Sequence, residues 1–239
     1  DERTFKGHSQ RVTAVALTPD GKKVISASYD KTLKLWNLET GKDERTFKGH
    51  SQRVTAVALT PDGKKVISAS YDYTLKLWNL ERDLRQNKIP PLQALLLGFK
   101  WVIGTIFKRN SQTGEDERTF KGHSQRVTAV ALTPDGKKVI SASFDNTLKL
   151  WNLETGENER TFHGHSHWVG AVALTRDGKK VISASFDNTL KLWNLETGKE
   201  IATFTGEAPF ECCAIAPDGV TIVAGESSGR VHFLRLENV

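Results

Sequence analysis

The sequence predicts an all-β protein built from five repeated units that stand side by side around a ring. Two observations lead to this prediction. The stretch DERTFKGHSQRV occurs at residues 1–12, 43–54 and 116–127. Each unit also contains four short runs rich in valine, isoleucine, leucine and threonine, the residues that favour β-strands. Four strands in a unit of 42 residues is the pattern of a propeller blade.

The unit boundaries follow from the recurring glycine-histidine pair. His8, His50, His123 and His165 are separated by 42, 73 and 42 residues, and Glu207 follows after another 42. The long step therefore holds 31 extra residues, which the repeat of LWNLE and TGE places at 82–112. We predict a single propeller domain, 1–239, with the units 1–42, 43–115, 116–157, 158–199 and 200–239, and with the insertion 82–112 between the third and fourth strands of the second unit.

The first unit shows the predicted strands in order. VTAVALT (12–18), KVISAS (23–28) and TLKLWNL (32–38) are three strands, TPDG and SYDK are the turns between them, and RTFKG (3–7) is a fourth run. Both alternating faces of 12–18 are apolar or small, which is typical of a strand covered on both sides. No unit contains a window of helical period, so a helical solenoid is excluded.

Four residue types recur at one fixed spacing in the first four units: a histidine, a serine, an aspartate and a tryptophan. The four sets are His8, Ser26, Asp30, Trp36; His50, Ser68, Asp72, Trp78; His123, Ser141, Asp145, Trp151; and His165, Ser183, Asp187, Trp193. This constellation resembles the WD-repeat β-propeller family, and the likeness covers everything except 82–112. The resemblance implies that each set forms a buried hydrogen-bonded network inside its blade. The Trp-Asp pair that names the family is Trp-Asn here.

The same residue types could also indicate a Ser-His-Asp hydrolase. A catalytic triad occurs once, in a cleft and with an activated serine. Four copies that each end in tryptophan favour a structural role instead, so we predict no enzyme activity, no catalytic residue and no cofactor. His163, His165 and His167 alternate, but no carboxylate follows at ligand spacing, and we expect no metal site.

The fifth unit departs from the pattern, because its counterparts are Glu207, Ala224, Ser228 and Leu234. We expect it to be held by apolar packing and to be the loosest blade. In the WD-repeat family the N-terminal strand completes the last blade, and the same closure is predicted here for the run at 3–7. An open arc that dimerises and a piece of a longer array are the alternatives.

The resemblance also implies where a partner would bind. In the family the top face consists of the loops that enter the first strand and the loops that join the second strand to the third. These loops carry Arg11, Arg53, Arg126, Trp168, Tyr29, Tyr71, Phe144 and Phe186. Arginine and aromatic residues are typical of protein-binding hot spots. Trp168 is the strongest candidate, since it replaces an arginine of the repeat.

The insertion carries most of the net charge. It contains six basic residues and one acid, and so contributes +5 of the chain's +6. Nucleic-acid binding by the propeller body is therefore not favoured. Its centre, 91–107, is apolar but interrupted by Lys100, which is short for a transmembrane helix. Four structures remain open for this segment. It could form a loop at the bottom rim that packs on itself, a segment that lies on a membrane surface, a hairpin, or a reduced sixth blade.

These patterns predict a non-catalytic scaffold for protein-protein interaction that binds a peptide or protein on its top face. The alternative is an adaptor that binds membranes or anionic surfaces through 82–112. Near-identical repeats that end in a degenerate unit resemble the WD-repeat tails of bacterial signalling ATPases, which implies a sensor or regulatory part of a larger signalling protein. Cys212 and Cys213 are the only cysteines, and as neighbours they suit a reducing, cytoplasmic location.

Overall fold

The structure is a computed structural model that describes residues 4–81, 113–114 and 116–237. The described residues form five β-sheets and no helix, which confirms the prediction of an all-β fold. None of them forms a helix with the length and hydrophobicity needed to cross a bilayer.

Each sheet is one blade, numbered in chain order. Blade 1 contains β1 (Val12–Leu17), β2 (Lys23–Ser28), β3 (Thr32–Asn37), β4 (Asp43–Lys48) and the short β8 (Thr113–Gly114). Blade 2 contains β5 (Val54–Leu59), β6 (Lys65–Ser70), β7 (Thr74–Asn79) and β9 (Asp116–Lys121). Blade 3 contains β10 (Val127–Leu132), β11 (Lys138–Ser143), β12 (Leu148–Asn152) and β13 (Asn158–Phe162). Blade 4 contains β14 (Val169–Leu174), β15 (Lys180–Ser185), β16 (Thr189–Asn194) and β17 (Glu200–Thr205), and blade 5 contains β18 (Phe210–Ile215), β19 (Thr221–Glu226) and β20 (Val231–Arg235).

The four repeated strands of each regular blade pair antiparallel with their neighbours, and equivalent residues pair in all four blades. In blade 1, Ser26 lies opposite Val15 on one side and Lys34 on the other, and Phe47 lies opposite Leu33. The fourth strand of each of blades 1–4 is the DERTFK-type run that opens the next unit. Each of these blades therefore contains the first strand-forming residues of the following repeat unit.

The blades pack face to face through a repeated apolar junction. Between blades 1 and 2, Leu33 and Leu35 form a buried cluster with Val54 and Trp78. The Thr13 hydroxyl adds a hydrogen bond of 2.7 Å to the carbonyl oxygen of Val54. Blades 2 and 3, and blades 3 and 4, repeat this hydrogen bond from Thr55 and Thr128 at 2.7 and 2.6 Å. The core is thus a series of equivalent junctions rather than one central cluster.

The predicted closure of the ring is absent from the described strand pairings. Blade 5 consists of three strands, and residues 4–8 are not paired with β20. The Phe5 ring instead stacks on Trp36 of blade 1 with 5.8 Å between centroids. Closure by the N-terminal strand stays a prediction.

The insertion 82–112 lies outside the described residues, together with every alternative predicted for it. The strands on either side of it, β7 and β9, pair antiparallel as the third and fourth strands of blade 2. Thr113 and Gly114 pair in parallel with β4 of blade 1. Membrane or anionic-surface binding through this segment stays a prediction.

One turn position adopts the left-handed backbone conformation in all four regular blades. It follows the network aspartate, and φ there is +71° at Lys31, +69° at Tyr73, +66° at Asn146 and +65° at Asn188. Asparagine tolerates this region better than other side chains with a Cβ atom, because its amide can hydrogen-bond locally. Blades 1 and 2 therefore carry a local strain that blades 3 and 4 reduce.

We expect Lys31→Asn to raise the free energy of unfolding by up to about 1 kcal/mol, because it relieves this strain. Asn146→Lys, the reciprocal exchange in blade 3, should lower the free energy of unfolding by a similar amount. Urea denaturation of both variants measures the two effects. Changes of the same sign in both would contradict the explanation.

Candidate functional site

In each of the four regular blades the histidine, serine, aspartate and tryptophan lie together in one hydrogen-bonded chain. The His8 Nδ1 atom lies 2.7 Å from an Asp30 oxygen, and its Nε2 atom lies 2.7 Å from the Ser26 hydroxyl. The Trp36 indole N–H donates to the same hydroxyl at 2.8 Å. The sets that begin with His50, His123 and His165 repeat all three distances to within 0.1 Å.

The ionisation of these groups fixes the direction of each hydrogen bond. Burial lowers the pKa of His123 and of His165, and the neighbouring aspartates offset this only in part. Burial alone would raise the pKa of Asp145, but hydrogen bonds from His123, Thr147 and Ser124 outweigh it and hold the pKa well below its ordinary value. A neutral imidazole therefore donates from Nδ1 to the carboxylate and accepts at Nε2 from the serine. Every polar side-chain atom of this hydrogen-bonded network has a partner.

This arrangement leaves none of the four network serines free to act as a nucleophile. Ser68, Ser141 and Ser183 are fully buried. Their hydroxyl oxygens already accept the indole N–H, and their protons are donated to the imidazole. In contrast to a catalytic triad, the chain of hydrogen bonds ends in tryptophan rather than at a substrate cleft.

The network also holds the two loops of the top face together. The Asp30 carboxylate accepts the backbone N–H of Ser9, and the backbone N–H of Tyr29 donates to the carbonyl oxygen of Arg11 at 2.9 Å. The same backbone pair joins Tyr71 to Arg53, Phe144 to Arg126 and Phe186 to Trp168, each at 2.9 Å. All eight predicted top-face residues therefore lie along one edge of the blades.

The aromatic residues of this edge form a continuous ladder across four blades. Centroids are separated by 6.5 Å between Tyr29 and Tyr71, and by 6.3 Å between Tyr71 and Phe144. The Phe144 ring then stacks on Trp168 at 4.1 Å with an interplanar angle of 2°, and Trp168 lies 5.8 Å from Phe186. The first three contacts cross from one blade to the next, and the last lies within blade 4, so the ladder links the four blades while its rings remain partly accessible.

Two arginines of the top face, Arg53 and Arg126, stack on the aromatic ring of the preceding blade. The guanidinium of Arg53 lies 4.4 Å from the ring centroid of Tyr29, and that of Arg126 lies 4.5 Å from Tyr71. Trp168 occupies the same position in blade 4, on Phe144 of blade 3. Trp168 is 38% exposed, and the same side chain also joins blades 3 and 4. The sequence suggested only its binding role.

Sequence reasoning missed two residues of blade 4. The His167 ring contacts both Trp168 and Phe186, with centroids 4.8 and 6.3 Å apart. Gly170 replaces the threonine that bridges the other junctions, and the Phe186 ring lies over it. Both positions break the repeat, as His167 replaces Gln10 and Gly170 replaces Thr13, and that departure was the available signal.

Blade 5 contains a different polar cluster, which corrects the expectation that only apolar packing holds it. The buried Glu226 carboxylate accepts the backbone N–H of Glu207 at 3.0 Å and the Ser228 hydroxyl at 2.7 Å. The Nε2 atom of His232 lies 3.0 Å from the same carboxylate, and its ring packs between Phe204 and Phe210. The Ser228 hydroxyl and the other donors hold the pKa of Glu226 below its ordinary value. Glu226 thus replaces the missing aspartate.

Comparison with known protein families gives two matches. Residues 1–37, 41–79 and 114–152 match the family described as WD domain, G-beta repeat. Residues 165–236 match the TEP-1 C-terminal beta-propeller.

Several curated proteins are similar over part of their length. The small ribosomal subunit protein RACK1 of Candida albicans is 42% identical over 172 residues, which cover 64% of this chain and 52% of that protein. The pre-mRNA-processing factor 17 of Saccharomyces cerevisiae is 27% identical over 156 residues, which cover 62% of this chain and 27% of that protein. The chain therefore spans about half or less of the length of these relatives.

We expect Ser141→Ala to lower the free energy of unfolding by about 1–3 kcal/mol, because it leaves the Trp151 N–H and the His123 Nε2 atom buried without partners. Chemical denaturation measures the change. Ser124→Ala is the matched control, since that side chain is exposed and only its backbone N–H joins the network. Equal stability of both variants would refute the structural role of the network.

Acidification should destabilise the protein in two stages. The lowered pKa values of His123 and His165 mean that the unfolded chain binds more protons than the folded chain below about pH 6.5. Stability is therefore complete above that pH and falls below it. It falls again below about pH 4, where the aspartates of the unfolded chain titrate.

The free energy of unfolding, measured in urea between pH 8 and pH 4, tests this expectation. His123→Gln should reduce the slope between pH 6.5 and pH 5, whereas His163→Gln, at an exposed histidine outside the network, should leave the slope unchanged. A wild-type profile that is flat from pH 8 to pH 5 would be inconsistent with neutral buried imidazoles.

Proposed function

The chain belongs to the WD-repeat β-propeller family, and from this premise we propose that it is a non-catalytic interaction scaffold whose top face binds an acidic segment of a protein partner. The observation that carries the proposal is the ladder of aromatic rings and arginines along the top edge of blades 1–4. It combines the two residue classes that dominate protein-binding hot spots in one strip, in which the arginines and Trp168 are exposed and the other rings are half-buried.

The charge of the strip favours a partner with carboxylates. Arg11, Arg53 and Arg126 are exposed, and no carboxylate among the described residues forms an ion pair with them. Stacking on Tyr29 and Tyr71 restricts two of these guanidinium groups before a partner arrives. Restricted guanidinium groups lose less entropy on binding and can pair with carboxylates in bidentate geometry. An aspartate- or glutamate-rich segment fits this part of the strip.

The far end of the strip favours an apolar side chain. Blade 4 carries Trp168, Phe186 and His167 in mutual contact and has no arginine at the repeat position. An aromatic or large aliphatic side chain of the partner could pack against these rings. The strip therefore changes from cationic at blades 1–3 to aromatic at blade 4. This difference would fix the orientation in which the partner segment binds along the strip.

The setting of this scaffold is also part of the proposal. The names of two relatives refer to a ribosomal subunit and to pre-mRNA processing. A role in holding components of a larger assembly fits both. A cytoplasmic location and a regulatory role within a larger signalling protein remain proposals that rest on the sequence.

Selection from a library of random displayed peptides tests the proposed ligand class. We expect the selected peptides to be enriched in aspartate and glutamate and to carry one aromatic or large aliphatic residue. Arg53→Ala combined with Arg126→Ala should weaken their binding at least about tenfold, the loss of roughly 1.4 kcal/mol. Lys22→Ala combined with Lys137→Ala removes the same charge from exposed turns at the opposite ends of the first strands and should change nothing. Equal losses in both pairs, or peptides without acidic enrichment, would overturn the proposal.

The variant Trp168→Arg separates binding from stability at blade 4. Arginine already stacks on the preceding ring in blades 2 and 3, so this exchange should keep the contact with Phe144 and the melting temperature. Affinity for peptides with the apolar residue should fall. Trp168→Ala is the comparison, since it also removes the stacking and should lower stability. Unchanged peptide affinity in Trp168→Arg would show that the indole does not contact the partner.

A further inference from the structure

The outer part of each regular blade carries a lysine on the third strand that lies opposite a threonine of the fourth strand. In blades 1, 2 and 4 a carboxylate joins this pair. In blade 2 the Asp116 carboxylate accepts from the Lys76 ammonium at 2.8 Å and from the Thr119 hydroxyl at 2.5 Å. We call this arrangement the outer triad. The triads of blades 1 and 4 consist of Lys34, Asp43, Thr46 and of Lys191, Glu200, Thr203.

Blade 3 has the lysine and the threonine of the outer triad but lacks the carboxylate. Asn158 stands at the position of the acid, and Lys149 lies opposite Thr161. The Lys149 ammonium donates to the Thr161 hydroxyl at 2.9 Å. The next residue, Glu159, is bound to Lys138 at 2.7 Å. Of the four triad lysines, Lys149 is therefore the one that forms no ion pair within the described part of the chain.

The Asn158 amide does not replace the missing acid, because its own hydrogen bonds fix its orientation. Its oxygen accepts the backbone N–H of Arg160 at 3.1 Å, and its nitrogen donates to the Thr161 hydroxyl at 3.0 Å. The Thr161 oxygen thus accepts from both Lys149 and Asn158, which leaves its own proton free to be donated. An ammonium, a hydroxyl and an amide nitrogen therefore meet at one place where the described residues supply no further acceptor.

The space for a carboxylate is also present in blade 3. In blades 2 and 4 one carboxylate oxygen of the triad lies 3.4 Å from the point that a Cβ atom would occupy on the glycine after the fourth strand of the preceding blade. These pairs are Asp116 with Gly49 and Glu200 with Gly164. Gly122 is the equivalent glycine beside blade 3, and only Trp151 atoms lie within 4 Å of the corresponding point. Asn158 is exposed, so this space is open to a ligand.

The buried network beside the site responds to the unbalanced charge. Burial is the main cause of the lowered pKa of His123, and the Lys149 ammonium lowers this pKa further. At His165 the Lys191 ammonium has the same effect, but the Glu200 carboxylate acts in the opposite direction. Blade 3 therefore lacks a negative charge at a place where blade 4 has one.

We propose that Lys149, Thr161 and the space beside Gly122 form a binding site for one carboxylate group of a ligand from outside the chain. The ligand carboxylate accepts from the Lys149 ammonium and the Thr161 hydroxyl, as Asp116 accepts from its own partners in blade 2. Hydrogen bonds between charged groups of this kind are stronger than those between neutral groups. A small organic acid and an acidic side chain of a partner protein both present the required group.

The ligand binds in its ionised form. Burial alone would raise the pKa of Asp116, but hydrogen bonds from Lys76 and Thr119 outweigh it and hold the pKa below its ordinary value. A ligand in blade 3 meets the same two kinds of donor, which favour the anion over the neutral acid. None of the three residues that form the site belongs to the strip of the top face, so the site goes beyond the proposed function.

NMR titration with sodium acetate, with the ionic strength held constant by sodium chloride, tests the site with a simple carboxylate. We expect a saturable shift of the Lys149 side-chain Cε–Hε signal in the wild type. In Asn158→Asp the chain supplies its own acid, as blade 2 does, so the acetate affinity measured at this signal should fall at least about tenfold. The absence of a saturable shift, or equal affinity in Asn158→Asp, would overturn the proposal.

The reciprocal exchange, Asp116→Asn, gives a matched test in blade 2. It reproduces the asparagine of blade 3 and should create a second acetate site, detected at the Lys76 side-chain signal. Each of the two exchanges installs a residue that another blade already carries at that position, so both variants should keep the fold. Unchanged backbone amide signals of the other blades check this. A Lys76 signal that ignores acetate in the folded variant would contradict the proposal.

A blocked oligoglutamate peptide, followed at the same Lys149 signal, distinguishes the two sources of the carboxylate. Binding at least about tenfold tighter than that of acetate supports the site as one for an acidic segment of a partner protein. Equal affinity per carboxylate supports it as one for small organic acids. Peptide bound only at the strip of the top face would shift the signals of Arg53 and Arg126 and leave that of Lys149 in place. Failure of this site and failure of the proposed function therefore give different results.

Discussion

The structure depends above all on the chain of hydrogen bonds that runs from tryptophan through serine and histidine to aspartate in each regular blade. It connects the third strand, the second strand and both loops of the top edge through groups that are each satisfied only in this arrangement. A fully satisfied buried polar network is rigid, because moving one member leaves another without a partner. The aromatic residues Tyr29, Tyr71, Phe144 and Phe186 directly precede the network aspartates, and the arginines and Trp168 stand three residues after the network histidines. The same chain of hydrogen bonds therefore orients both groups.

Repetition of one junction is the second constraint. Blades 1–4 are nearly the same sequence, and the contacts between them are correspondingly uniform, down to a threonine hydroxyl that reaches the next blade at 2.6 to 2.7 Å. A uniform junction buries each inner face but cannot by itself bury the two faces at the ends of the array. The departures from uniformity are therefore informative. They gather in blade 4, at His167, Trp168 and Gly170, and within blade 5 around Glu226.

The chemistry of the top edge follows from these two constraints. The hydrogen-bonded loops hold an arginine or an indole against the aromatic ring of the preceding blade, so each such residue both joins two blades and remains accessible to a partner. A recognition surface built this way is largely preformed, which reduces the entropy lost on binding. It also means that stability and binding share residues, most clearly at Trp168.

The sequence by itself determined the all-β fold and the family, because a fixed spacing of strands, turns and network residues recurs in four repeats. It also indicated which residues would stand on the top edge. Only the tertiary structure decided the rest. Stacking across blades, as between Phe144 and Trp168, depends on the rotation between sheets, which no local pattern encodes. In the cluster of blade 5, Glu226 and His232 stand outside the four network positions. The exposure of Val12 and Phe233 depends on whether a neighbouring blade is present rather than on their own sequence.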